Sequence, residues 1–563
     1  MQLLDSRRYT GPNLVWDRPS AVLDIDCDAT ETAGIVATWR QQLQARLVSL
    51  DVSDWDHAWY EFDAGGVSLA LAAPIDLLYV AIEINEAAWA ATLASLTHAA
   101  GAEPPPTNVH LATELDAQRQ KDLIALQAAA SGHGVTLLWD DDEVSVGLGR
   151  HARVWPADAL PRPEDIDWHL HGDVPVGLVT GTNGKTTSVR LSLSMLRAAD
   201  LNVGLSSTDW VGVNDRIIDR GDYSGPGGAR AALRDTDVDV AILETARGGL
   251  LRRGLGIDHA RAALITNIAE DHLGDFGSRN LRELLDIKWI VTRTLGAQSI
   301  AVLNADDALL VEKSGELDVP ICWFALAHDN SVLAAHTARG GLAVSAIDEY
   351  FMRFDGSEWH TLCAIRDVPL TLDGAARHNV ANALGAIGLV HALGIDDEAI
   401  VRGLQSMTAA DNPGRCNVYD VDGIEVLVDF AHNPQGMAAI FELASRRPAK
   451  QRHLAFAQAG DRPDPSLRDQ AEVAWRHGFA YFHISELAAY HRGREYREVF
   501  GVLRDTLLGC GASDAQIHHH EEEIDALNSV LGMAASGDLV VMLALGDAQL
   551  ITDHILSRGQ IKL

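Results

Sequence analysis

The chain is poor in cysteine and carries far fewer cations than anions, and each shortage excludes a class of protein. Its five cysteines (Cys27, Cys322, Cys363, Cys416 and Cys510) are scattered over 563 residues without a C-x-x-C pair. Such a set frames neither a disulfide scaffold nor a zinc site, and it fits reduced thiols in the cytosol. Lysine and arginine number 45 against 79 aspartates and glutamates, a formal charge of −34. A surface of that sign disfavours nucleic acid and anionic membrane as partners, although a local basic pocket stays open. No apolar h-region follows Met1 and no uninterrupted apolar run approaches membrane-spanning length, so the sequence reads as cytoplasmic, with no membrane partner.

Apolar sequence, by contrast, makes up 47% of the chain, over a length that exceeds one core. Roughly three or four domains are expected. Residues 1–170 read as an α+β domain, in which β-type runs (21–25, 67–72, 77–84, 135–139) alternate with helical patterns (30–47 and 114–130). In residues 171–408, the runs VDVAILE (238–244), AALITNI (262–268) and SIAVLN (299–304) alternate with helical stretches. That alternation predicts a mainly parallel sheet with helices on both faces and ligands at the carboxyl ends of its strands. Residues 409–563 alternate again and read as a Rossmann-like α/β domain. HHHEEE (518–523) lacks ligand spacing and reads as a solvated loop or helix start.

The chemistry centres on VPVGLVTGTNGKTTSVR (174–190): an apolar strand, a glycine-containing loop, then a helical pattern. Gly181 and Gly184 let backbone N–H groups approach a polyphosphate, and the helix start adds partial positive charge. Lys185 is then set to bridge the outer phosphates and Thr186 to ligate Mg²⁺. The full G-x-x-x-x-G-K-[ST] pattern wants glycine where Val179 stands, so the match is to its second half. Glu244 closes an apolar strand, Asp271 and His272 follow the next, and Lys288 lies in a helical stretch. Singly each has a dull reading, and only a shared nucleotide site lifts them above it.

TGTNGKTT (180–187), LETARGGLLRRGL (243–255), ITNIAEDHL (265–273), AVLNADD (301–307), RHNVANALGA (377–386), PGRCNVY (413–419) and VDFAHNP (428–434) stand in the order found in the Mur ligase family, which the chain resembles. Within that family it is most similar to the Mur-type portion of cyanophycin synthetases, and RRYTGPNLVW (7–16) resembles their start. Those enzymes carry a large ATP-grasp module between the two parts, and here a short linker stands in its place.

The resemblance implies a multidomain α/β architecture: an α+β N-terminal domain for acceptor binding or assembly, a central P-loop ATPase domain and a C-terminal Rossmann-like domain. It implies an ATP-dependent amide ligase, with Mg²⁺, that activates a carboxylate as an acyl phosphate for attack by an amino-acid amine. ATP would meet Gly181, Thr182, Asn183, Gly184, Lys185, Thr186 and Thr187, with Asn379 and Asn382 beside the adenine and Arg415 and Asp429 on phosphates and ribose. Thr186, Glu244, His272 and Lys288 are the implied metal set, Lys288 as a carbamate, and Lys185, Glu244, His272 and Lys288 the catalytic set. Thr208, Arg247, Gly248, His432 and Arg462 are the implied substrate contacts, Arg247 as a fork onto a carboxylate. Arg252 and Arg253 either approach an acidic main chain or pair with surface acids. The reaction implied by the nearest similarity is arginine added to an aspartate side-chain carboxylate. The alternatives are another small acceptor or a non-catalytic ATP- or polymer-binding protein. A homo-oligomer, and a partner ligase replacing the ATP-grasp activity, are further expectations.

Overall fold

The computed structural model describes residues 1–97, 106–271 and 280–561. The N-terminal domain is built on an antiparallel sheet in the order Gln2–Tyr9, Ser20–Asp26, Val67–Ala72, His57–Glu61. Helix Thr32–Ser49 covers it with Trp39, Leu43 and Leu47, spaced one helical turn apart and fully buried.

The run 77–84, expected as a strand, is instead the start of helix Leu78–Thr97. Apolar composition alone does not separate the two, and burial at Leu77, Ala81, Ile84 and Ala88 follows the helical period. Asn85 fixes that helix to the sheet: its Nδ2 donates to Ala21 O at 3.2 Å and Leu69 O at 3.0 Å, while Trp39 Nε1 donates to its Oδ1 at 2.8 Å. The stretch Ile75–Thr97 reaches membrane-spanning length and mean apolarity although Asp76, Glu83 and Glu86 interrupt it, and 56% of its most apolar window is buried inside this protein. The single helix expected over 114–130 is two, Asn108–Gln118 and Lys121–Gly132, broken where Arg119 leaves helical geometry (ψ 118°). A small antiparallel sheet, Leu137–Trp139, Glu143–Val146 and Arg153–Pro156, follows.

An eleven-stranded sheet forms the middle of the molecule. Its parallel part runs Val203–Ser206, Val240–Glu244, Val176–Thr180, Ala260–Ile265, Leu295–Asn304, Ile321–Ala325, Leu342–Ile347. Antiparallel strands extend both edges. Helices Lys185–Ala198 and Arg377–Ala392 bury Val189, Met195, Leu384 and Ile387 on one face, and a second apolar cluster fills the other. Strand Val176–Thr180 is central and buried on both faces, which is why it reads as a continuous apolar run.

The C-terminal sheet runs Ile517–His520, Tyr481–Ser485, Arg452–Ala457, Leu539–Leu543, Ile424–Asp429, Asn417–Val421, Gln560–Ile561, all in one direction except Asn417–Val421, which is antiparallel to both its neighbours. HHHEEE is no solvated loop. His518–His520 are half-buried in a parallel edge strand, where His518 and His520 stack on fully buried His483 with ring centroids 4.9 and 5.3 Å away. The helix-start reading holds for Glu523, first residue of helix Glu523–Met533, whose carboxylate accepts from Leu545 N at 2.7 Å and Gly546 N at 3.0 Å. Charge-rich composition concealed a strand that neighbouring rings, not apolar side chains, bury.

Candidate active site

Strand Val176–Thr180 delivers the chain into a tight loop. Gly181 sits at φ 144°, and a Cβ there would lie 1.9 Å from Thr266 Oγ1; Gly184, at φ +85°, would place one 2.0 Å from Asn382 Oδ1. Glycine is required at both positions, by conformation and by space. Gly184 caps helix Lys185–Ala198, and residues 182–187 all line a cavity of about 1010 Å³ between the central and C-terminal sheets.

The loop is held from outside. Thr266 Oγ1 donates to Asn183 O at 2.6 Å, Thr182 N donates to Asn267 O at 2.9 Å, and Asn183 N donates to Asn267 Oδ1 at 2.9 Å. Asp307 in turn accepts from Ile268 N at 2.6 Å. The motifs ITNIAED and AVLNADD thus hold the glycine loop 181–184 in shape, a role their sequence did not disclose.

Hydroxyls and a carboxylate line up beside the helix start. Thr186 Oγ1 lies 3.3 Å from Thr208 Oγ1, which donates to Glu244 Oε1 at 2.6 Å. These are hard oxygen donors, the kind Mg²⁺ takes. Lys185 Nζ folds back onto Thr182 O at 3.0 Å. Lys288 is buried and donates to Gly181 O at 2.7 Å. Burial, with Lys185 and Arg247 nearby, pulls its pKa well below the ordinary lysine value, against the opposing pull of Asp271 and Glu244. Burial thus works against the charged ammonium at this position. His272 lies outside the described residues.

Asn379 and Asn382, on helix Arg377–Ala392, are buried at the cavity wall; Asn382 Nδ2 donates to Asn379 Oδ1 at 3.3 Å, and Asn379 Nδ2 to Leu370 O at 3.0 Å. Across the cavity, the Arg415 guanidinium lies 4.3 Å from the Phe430 ring centroid. Asp429, at the end of its strand, accepts from Cys416 N at 2.7 Å and Ala431 N at 2.8 Å. Burial raises its pKa, with Arg415 and these N–H donors opposing.

The two domains are joined directly at the cavity. Asn183 Nδ2 donates to Gln435 Oε1 at 2.7 Å, Asn433 Nδ2 donates to Asn183 Oδ1 at 2.9 Å, and Arg462 Nη1 donates to Asp271 Oδ1 at 2.8 Å. His432 Nε2 stands 3.6 Å from the other oxygen of Asp271. Arg190, the last residue of the nucleotide motif, is buried in an ion pair with Asp209, gives Nη1 to Asn412 Oδ1 at 3.0 Å, and has its pKa pulled down to about 10 by burial. Asn433 and Arg190 stand inside motifs already read from the sequence, VDFAHNP and VPVGLVTGTNGKTTSVR, whereas Gln435 carried no signal of its contact across the cavity.

Thr208, Arg247, Gly248, His432 and Arg462 all line the cavity. Arg252 and Arg253 are exposed farther along the helix that begins at Arg247. Residues 221–229, GDYSGPGGA, meet the start of that helix, with Ala246 N donating to Ser224 O at 3.0 Å.

Comparison with known proteins agrees with this architecture. The Mur ligase middle domain matches residues 179–390, and the Mur ligase glutamate ligase domain matches residues 414–546. Cyanophycin synthetase of Geminocystis herdmanii is 32% identical over 412 residues, covering 71% of this chain and 46% of that protein. That of Crocosphaera subtropica is 34% identical over 400 residues, covering 71% and 45%. The chain spans about half the length of these relatives. A UDP-N-acetylmuramoyl-L-alanyl-D-glutamate--2,6-diaminopimelate ligase of Lactiplantibacillus plantarum is 25% identical over 387 residues, covering 66% of this chain and 73% of that protein. A bifunctional folylpolyglutamate synthase/dihydrofolate synthase, solved with Mn, AMPPNP and L-glutamate bound, shares the fold at TM-score 0.51 and 18% identity, over 68% of this chain and 89% of that one. With the middle and C-terminal domain matches meeting across the cavity just described, the chain belongs to the Mur ligase family.

Proposed function

We propose that this chain is an ATP-dependent ligase that joins an amino-acid amine to a carboxylate, releasing ADP and phosphate. The observation that carries the reading is the convergence, in one interdomain cavity, of a phosphate loop, the Thr186–Thr208–Glu244 oxygen set and the basic groups Lys185, Arg247, Arg415 and Arg462. ATP lies along residues 181–187, with its base toward Asn379 and Asn382 and its phosphates and ribose toward Arg415 and Asp429. Thr186 and Glu244 hold Mg²⁺, with His272 and Lys288 completing the set. The bound ion supplies charge neutralisation on the transferring phosphoryl group.

A carboxylate is a poor electrophile. Its oxygen attacks the γ-phosphorus and ADP departs, leaving an acyl phosphate. The amine then attacks the acyl carbon, an amine proton is lost and phosphate leaves with one carboxylate oxygen. Lys185 stabilises charge on the transferring group, Arg247 orients the acceptor carboxylate, and His432 and Arg462 face the amine from the C-terminal side. The interdomain cavity shields the acyl phosphate from water. Burial that disfavours the charged form of Lys288 favours the amine that adds CO₂ to become a carbamate, with release of a proton, and such a carbamate would be an anionic group able to orient the metal.

The substrate pair implied by the resemblance to cyanophycin synthetases is arginine and an aspartate side-chain carboxylate, on a premade acceptor or one supplied by a partner ligase. Phosphate release from ATP and Mg²⁺, screened over amino acids paired with aspartate- or glutamate-containing acceptors, tests the reading. One pair stimulating release above a Lys185→Ala control supports it; ATP binding without stimulation by any pair favours a binding protein.

A further inference from the structure

The motif RRYTGPNLVW meets the helix that begins at Arg247, and a second part of the N-terminal domain meets the helix that carries Lys288. After strand Gln2–Tyr9 the chain turns through a loop folded around the fully buried Asn13. Its Nδ2 donates to Gly11 O at 3.0 Å and Arg18 O at 2.9 Å, and its Oδ1 accepts from Val15 N at 3.0 Å. The loop grips the far end of helix Arg247–Arg253. Tyr9 Oη donates to Leu251 O at 2.7 Å, Thr10 N to Arg253 O at 3.3 Å, and Leu255 N to Pro12 O at 2.8 Å. A Cβ on Gly11 would stand 2.6 Å from Leu255 O, and one on Gly254, which is left-handed at φ +69°, 2.7 Å from Pro12 O. Arg7, ion-paired to Asp24 inside the sheet, donates from Nε to Tyr9 Oη at 3.4 Å and so ties this grip to the N-terminal core.

A second grip holds helix Leu281–Trp289. Tyr60 Oη donates to Asp286 Oδ2 at 2.7 Å, and Asp63 N to Glu283 Oε1 at 2.8 Å. Leu14 and Phe62 of the N-terminal domain belong to the same buried cluster as Leu250, Leu251, Leu284 and Leu285. A recruiting module on a flexible linker would meet its neighbour across a small, polar interface. This interface is a shared core with hydrogen bonds to main-chain carbonyls. Helices of seven and nine residues are too short to hold their own geometry, so packing sets where they stand.

We propose that the N-terminal domain is a built-in brace of the catalytic site, with Tyr9 and Tyr60 as positioning residues that set Arg247 and Lys288 at the cavity. This rests on the ligase reading only in taking those two side chains as working groups.

The test uses the full chain with Tyr9→Phe and Tyr60→Phe combined, which removes two hydroxyls and no ring. Hydrogen exchange in segments 247–255 and 281–289 is expected to speed up roughly fivefold, the loss of about one hydrogen bond at each, while segment 185–198 keeps its wild-type rate. KM for the acceptor rises, through Arg247, and kcat falls, through Lys288. Gly11→Ala, which wedges the first grip without touching a hydroxyl, gives the same pattern at 247–255. Unchanged exchange at both helices, or equal acceleration at 185–198, overturns the proposal. If the wild-type chain turns over no acceptor, the ligase reading fails while the exchange comparison still decides this one.

Discussion

Arg462 and Asp271 form an ion pair that spans the interdomain cavity, with side chains 6% and 17% exposed. One partner follows strand Arg452–Ala457 of the C-terminal sheet and the other follows strand Ala260–Ile265 of the central sheet, so the pair forms only when the two domains are closed on each other.

Arg462→Ala leaves Asp271 facing His432 in a largely buried setting without its guanidinium. Breaking a pair in that environment costs about 3 kcal/mol. The variant is predicted to sample open domain arrangements, to raise KM for the amine and to keep ATP binding. Small-angle scattering and amine titrations check this; a compact variant with wild-type KM would show that the pair does not hold the closure.

Gly184→Ala is predicted to abolish nucleotide binding, because the added Cβ meets Asn382 Oδ1 at 2.0 Å in a left-handed backbone. Gly227→Ala meets nothing within 4 Å in helix Pro226–Leu233 and is predicted to be silent. Calorimetric titration with ATP and Mg²⁺ separates the two. Equal affinities would deny that the loop's shape matters.

Acid is predicted to destabilise the C-terminal domain through its histidine stack. His483 is held at a pKa of about 3, by burial first and then by His518, His520 and His453. Because the folded pKa lies below that of an unfolded histidine, about 6.5, the unfolded state binds the extra proton between those values. Stability falls as pH drops from 7 toward 3, and this one group accounts for about 4 kcal/mol of the loss. Urea unfolding at pH 7.5 and 5, between which about 2 kcal/mol of that loss falls, measures it. His483→Gln is predicted to flatten the difference, and an unaltered pH dependence in that variant would exclude the stack as its source.

The strand, loop and helix around Gly181 were legible because their signal is local: two glycines, a lysine and four threonines within eight residues, between a strand and a helix that announce themselves by period. The parallel sheet was legible for the same reason, one apolar run per strand. The clasp of Asn183 with Asn433 and Gln435 was not, because its partners lie some 250 residues apart and amide side chains carry no periodic signal. Nor was the brace behind Arg247, since the hydrogen bonds of Tyr9 and Pro12 run to main-chain groups whose identity leaves no trace in the sequence. Helix Leu78–Thr97 was misread because its leading apolar run suits a strand as well, and only Asn85, bonded to two strands at once, distinguishes it in space.

The central claim is that the carboxylate is activated by phosphorylation, and oxygen-18 tests it most directly. An acceptor carrying the label in both carboxylate oxygens is turned over with ATP, Mg²⁺ and the stimulating amine, and the released phosphate is read by mass spectrometry. The acyl phosphate route predicts one labelled oxygen in each phosphate and one left in the amide. Amide formed with unlabelled phosphate would contradict it.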